Sequence, residues 1–133
     1  MVVLQIGTNN LEAGLGLSSA TPRNSPMQIA EGVFAIIGTV RLRWPNVRFI
    51  LHGLFPRGSV NATIREEILL VNSLLSTFCS QEGGITYLDM TSTLLHADGT
   101  LSNAYRDDHL HLSVAGYEVW ADFLRIPLIA QLG

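Results

Sequence analysis

Val2-Val3-Leu4-Gln5-Ile6 is a nearly unbroken apolar run closed by Gly7. That pattern predicts a strand buried on both faces of a parallel sheet, and so a central one. From Asn10 to Asn24 the chain is rich in Gly, Ser, Thr and Asn, includes Pro22 and shows no sustained period, which predicts a loop. Periodicity then changes. Ser25-Pro26-Met27-Gln28 sets a capping Ser, a Pro at the first helical position and a Gln three residues after the cap, a combination that satisfies the free N–H groups of a helix start. Ile29, Val33, Ile36, Ile37, Val40 and Trp44 follow at helical spacing until Pro45 ends the segment. Val47 to Leu54 predicts a second strand, and Phe55-Pro56-Arg57-Gly58 a turn.

Ile64, Ile68, Val71, Leu75 and Phe78 mark a second helix, stopped by Gly83-Gly84. Ile85 to Asp89 is a short third strand, and Asp98-Gly99 a tight turn beyond it. Ser113 caps a last helix running through Tyr117, Trp120 and Leu124, with Pro127 either kinking it or opening a final turn. The order β-α-β-α-β-loop-α requires crossover connections, hence a parallel sheet covered by helices. Three strands leave the first with one open edge, so a neighbour is expected upstream, and the open edge is a surface through which two copies could pair.

Composition narrows the function classes. The 133 residues are 47% hydrophobic, ample for a single core, whereas charged residues are 14% and the net charge is −3. Nothing resembles the basic stripe that a phosphate backbone demands, so no nucleic-acid partner is expected. No apolar stretch reaches the ~18 to 20 residues of a membrane span, and no signal-peptide pattern opens the chain. The compartment stays undetermined, with the cytoplasm as default. The one cysteine, Cys79, excludes an internal disulfide and reads as a small core residue.

In open parallel sheets ligands bind beyond the carboxyl ends of the strands. Three segments lead there: Gly7-Thr8-Asn9-Asn10, Phe55-Pro56-Arg57-Gly58 and Asp107-Asp108-His109-Leu110-His111-Leu112. Asp108 and His111 are close enough for the carboxylate to orient the imidazole, leaving its other nitrogen free as a base. The alternative is that both cap the last helix or form a surface ion pair. Asn9 could equally be a turn residue beside Gly7. Arg57 could steer an anionic substrate group from the rim or be a solvated turn residue. His52 reads as a core or edge residue, and Trp44, Tyr117 and Trp120 as core. Asp107, His109 and His111 form a D-x-H-x-H pattern, but no second ligand cluster accompanies it, so no metal is expected.

Together the segments resemble the SGNH (GDSL-type) hydrolases. VVLQIGTNN is similar to that family's third sequence block, and Asp108-His109-Leu110-His111-Leu112-Ser113 to its fifth, with the D-x-x-H. Ile50-Leu51-His52-Gly53-Leu54-Phe55-Pro56-Arg57-Gly58 resembles the matching segment of platelet-activating-factor acetylhydrolase catalytic subunits. Tyr87-Leu88-Asp89, Asp98-Gly99-Thr100-Leu101-Ser102 and Gly116-Tyr117 extend the likeness over nearly the whole chain. The resemblance implies an α/β fold with a three-layer, flavodoxin-like parallel sheet. It also implies acyl transfer to a serine, with His111 as general base, Asp108 as its orienting carboxylate and Asn9 as an oxyanion donor. The substrate implied is a small acyl ester, of a lipid or a sugar, and no cofactor is required.

The nucleophile is where the chain departs from the family. The G-D-S motif and a glycine oxyanion donor belong to blocks that precede the segment at which this chain begins. Ser18, Ser19 and Ser25 lack that context. The expectation is therefore a single, partial SGNH domain over 1–133, N-terminally truncated to about three strands, with no nucleophile of its own and little or no activity. The alternative is a non-catalytic remnant that pairs through its open sheet edge.

Overall fold

The computed structural model describes residues 1–11 and 24–132. Three short strands, β1 (Val2–Leu4), β2 (Phe49–His52) and β3 (Ile85–Leu88), form a parallel sheet in the order β1-β2-β3. Val3 lies opposite Ile50, and Ile50 opposite Thr86. The connections are α1 (Pro26–Arg43) and α2 (Thr63–Gln81). After β3 come a single helical turn, α3 (Thr91–Leu94), a pair of irregular hairpins and a long last helix, α4 (Val114–Leu132). The α/β class and the parallel sheet are as the pattern predicts.

Side chains alternate across a strand, and the alternation assigns the layers. Phe49 and Leu51 turn to one face, where they pack with Ile29, Val33 and Ile37 of α1 and with Ile68, Val71 and Leu75 of α2. His52 points to the other face, and there α4 lies. Trp120 Nε1 donates to His52 Nε2 at 3.2 Å, and Gln131 Nε2 donates to Thr86 Oγ1 at 2.6 Å. A smaller cluster of Met90, Leu94, Tyr105 and Leu112 continues the core beneath α4.

Local signals act where the sequence places them. Ser25 and Gln28 form a reciprocal capping box at the start of α1, with Pro26 inside the first turn. Ser113 Oγ accepts from Gly116 N at 3.1 Å, opening α4, and the helix runs on through Pro127. Gly116 is buried there because nothing larger fits: a Cβ would stand 2.0 Å from the Ala104 carbonyl oxygen.

Two expectations are corrected. The first strand is not buried on both faces; it is the sheet edge, paired only with β2, and Val3 is 40% exposed. Neither α4 nor a further strand covers that flank among the described residues. Trp44 is not core but 61% exposed, because α1 ends at Arg43 and the chain turns away before the indole can reach the packed face. The loop expected at 10–24, including Ser18, Ser19 and Pro22, lies mostly outside the described residues. Its described ends are tied together, since Asn24 N donates to Asn10 O and Asn10 Nδ2 to Asn24 Oδ1, both at 3.0 Å.

His52 makes the second layer pH-dependent. It is fully buried, and burial pushes its pKa below the usual 6.5. Accepting from Trp120 at Nε2 requires a neutral ring with its proton on Nδ1. An unfolded chain takes up a proton near pH 6.5 while the folded ring does not, so stability falls as the pH drops from that value towards the depressed folded pKa. Urea unfolding between about pH 7 and 5 should therefore show a loss of stability that shrinks in His52→Leu. An unchanged slope would assign it to another group.

Candidate active site

The carboxyl ends of the strands carry the candidate residues. After β1, Gly7 adopts φ 120°, and a Cβ on it would stand 2.9 Å from Ile29 Cγ2, so both backbone and space call for glycine. That bend starts a 3₁₀ turn, Thr8–Asn10, which presents Asn9 to solvent.

After β2 the chain is held by side chains from three directions. Asn72, buried in the apolar face of α2, accepts from Leu54 N at 2.6 Å and donates to Leu54 O at 3.0 Å. The Tyr105 hydroxyl donates to Pro56 O. Arg65 donates through Nε to Arg57 O at 2.8 Å and through Nη2 to Gly58 O at 3.1 Å. Arg57 itself is neither solvated nor at an open rim, being only 5% exposed, and its Nη2 donates to Thr8 O at 3.2 Å. It braces the turn that carries Asn9.

The third segment is a hairpin-like loop. Arg106 N donates to His111 O at 2.9 Å, and Tyr105 bridges Leu112. His109 sits at φ 56°, uncommon for a residue with a side chain, and its carbonyl accepts from Gly58 N at 3.1 Å. Within this loop Asp108 Oδ1 accepts from Leu110 N at 3.0 Å and from His111 N at 2.9 Å, while Oδ2 meets His111 Nδ1 at 2.8 Å. These bonds, the His111 side chain's first, hold the Asp108 carboxyl well below the usual carboxylate range. It is therefore an acceptor at neutral pH. Nδ1 carries the shared proton, and Nε2 is left as the basic nitrogen. Ser113, not this pair, caps α4, and the pair lies at the surface, its side chains 63% and 42% exposed, as the ion-pair alternative has it.

One cavity of about 150 Å³ brings Asn9, Arg57 and His111 together, with Phe55, Tyr117 and Trp120 as further walls. Asp108 stands behind His111, outside it. Tyr117, 57% exposed, belongs to this wall and not to the core, whereas Trp120 packs against the second core cluster and also lines the cavity; the two rings lie 5.9 Å apart. Their place in the first two turns of the helix after His111 was the available signal. His109 lines other cavities than His111 does, and among the described residues no three His, Cys, Asp or Glu side chains gather to hold a metal ion. Ser25 Oγ is engaged in its cap, and no described serine lines the cavity. No helix among the described residues is long and apolar enough to cross a membrane. Burial raises the Cys79 thiol to about 11, as suits a core residue.

The sequence profile of the GDSL-like lipase/acylhydrolase family matches residues 1–119, and the chain belongs to that family. It is 31% identical over 117 residues to platelet-activating factor acetylhydrolase IB subunit alpha2 of Rattus norvegicus, covering 88% of this chain and 46% of the relative. The alpha1 subunit of Homo sapiens is 32% identical over the same extent. The chain thus spans about half the length of these curated relatives. Its fold is similar to that of a candidate acylhydrolase from Bacteroides fragilis, with TM-score 0.79 and 16% identity, over 98% of this chain and 62% of that one. The esterase domain of a zebrafish retrotransposon ORF1 protein gives TM-score 0.67 at 22% identity, over 79% of this chain and 63% of that one.

The clamp on the segment after β2 has a measurable cost of removal. Asn72→Ala leaves the Leu54 N–H and carbonyl without their partner in a buried setting, and should lower stability by about 1–3 kcal/mol. Urea unfolding reads it. A loss no larger than that of a surface substitution would show the clamp to be dispensable.

Proposed function

We propose that this chain supplies the base, the orienting carboxylate and one oxyanion donor of a hydrolase acting on short acyl esters. The observation that carries the reading is the single cavity shared by Asn9 and His111, with Asp108 bonded to the far nitrogen of the imidazole. In this reaction Nε2 of His111 takes the proton of an attacking hydroxyl, whose oxygen bonds to the ester carbonyl carbon. The carbonyl oxygen becomes an oxyanion that the Asn9 side-chain amide donates to. As the intermediate collapses, the C–O bond to the alcohol breaks, and His111 returns its proton to the departing oxygen. Arg57 contributes mainly by fixing the Asn9 turn, although it also lines the cavity.

In the family's chemistry the attacking hydroxyl is a serine's. Where water takes the place of that serine, the expected activity is weak. Hydrolysis of p-nitrophenyl acetate by the 133-residue protein should exceed that of its His111→Ala variant by on the order of 10²-fold. Equal rates would reject a working Asp108–His111 pair.

A second, non-catalytic reading is favoured by the edge position of β1, where Met1, Val3 and Ile6 are each at least 40% exposed. An open strand edge flanked by apolar side chains invites pairing with a second copy. Size-exclusion chromatography at micromolar concentration should then give a dimer. A well-folded monomer would remove this reading.

A further inference from the structure

We infer that the turn joining α1 to β2 docks on an anionic lipid surface, lying on it without crossing it. This turn is at the amino ends of the strands, the opposite end of the sheet from Asn9 and His111, so the contact is independent of the ester-hydrolase reading. Residues 41 to 48 read Arg-Leu-Arg-Trp-Pro-Asn-Val-Arg. Three of the chain's eight Lys and Arg residues fall in these positions, and no Asp or Glu occurs from 32 to 65. Net charge over the whole chain is −3, so the positive charge is local.

Arg41 serves the fold. It pairs with Glu82 at 3.1 Å, donates to Gly83 O and lies over the Phe49 ring, which ties the end of α1 to the end of α2 and the start of β2. Arg43 and Arg48 are exposed, and their side chains make no hydrogen bond or ion pair among the described residues. The Arg48 carbonyl accepts from Val2 N at 2.9 Å, which sets this residue beside a cavity of about 610 Å³ walled by Met1, Val2, Arg43, Trp44, Pro45 and Val47. Two free guanidiniums therefore flank an apolar recess.

The apolar side chains here project outward. Leu42 is 87% exposed, Trp44 61% and Met1 44%. A helix end favours cations, which accounts for Arg43 but not for the leucine and tryptophan on either side of it. A lipid surface meets all of them at once. The indole, apolar in body and with one N–H, suits the headgroup level, Leu42 the acyl boundary, and the guanidiniums the anionic headgroups. A second copy of the chain fits less well. Two-fold pairing through this face would bring both Arg43 and both Arg48 side chains together, and the Glu82 carboxylate is already held by Arg41.

The test is co-sedimentation of the 133-residue protein with vesicles of phosphatidylcholine alone and of phosphatidylcholine with about 30% phosphatidylserine. Binding to the anionic vesicles alone is expected, falling as salt is raised towards about 0.5 M. Trp44 and Trp120 are the two tryptophans, and Trp120 is held inside by His52, so the blue shift of emission on these vesicles should vanish in Trp44→Phe. An arginine near an anionic surface is worth about fivefold in partitioning, so Arg43→Ala with Arg48→Ala should weaken binding at least about tenfold. Leu42→Ser with Trp44→Ser is an independent pair and should weaken it at the same salt. All four positions are exposed, and circular dichroism checks that the fold is kept. No binding, equal binding to both vesicles, or undiminished binding by the arginine variant overturns the inference. So does a blue shift that grows with protein concentration in the absence of lipid, which makes the occupant a second copy, or one produced equally by polyglutamate, which makes it an acidic polypeptide.

Discussion

Backbone groups withdrawn from water must find partners, and the segment Leu54 to Gly58 is where this chain meets that demand. It leaves the sheet at Gly53 without strand neighbours for its own N–H and carbonyl groups. Asn72, Tyr105 and Arg65 replace them from α2 and from the loop before α4. Once fixed, the segment fixes its neighbours, because Arg57 reaches the turn under Asn9 and Gly58 N–H reaches the carbonyl of His109. The relation between two residues about a hundred positions apart in sequence thus passes through one turn.

The Asp108–His111 pair is of another kind. Its three contacts all lie within four consecutive residues, so it is built locally and depends little on the rest of the chain. The long-range part of the site, Asn9 against His111, is the part that packing must supply. The oxyanion role proposed for Asn9 needs both elements held still, and the braced turn between them ties one to the other.

Legibility in the sequence followed the same division. Elements with local chemistry, such as the Ser25 capping box and the helix faces of α1 and α2, could be read from spacing, whereas spacing alone left Asp108 and His111 open between a helix cap, a surface ion pair and an oriented base. That three segments meet at one rim could be read from topology. Asn72 could not, because a polar residue in an apolar helical stripe has many uses and only the fold shows a strand end beside it. Arg57 looked like a turn residue facing solvent, and its burial depends on where Thr8 comes to lie. Tyr117 and Trp120 have the period of core residues, but the first turns of α4 overhang the cavity, so Tyr117 lines it in the open and Trp120 both lines it and packs on the core. Trp44 and Val3 fail as core for the opposite reason: the apolar pattern is present and no described element covers it.

Gly116 has a consequence beyond close packing. With the Ala104 carbonyl where a side chain would begin, the start of α4 and the loop before it are locked at van der Waals distance, and the Ser113 amide bonds to that same carbonyl at 2.8 Å. Helix and histidine loop therefore act as a single lever whose fulcrum is a missing methyl group. A larger residue at position 116 would part the helix from the loop at Ala104, while the contacts within 108–111 stay intact.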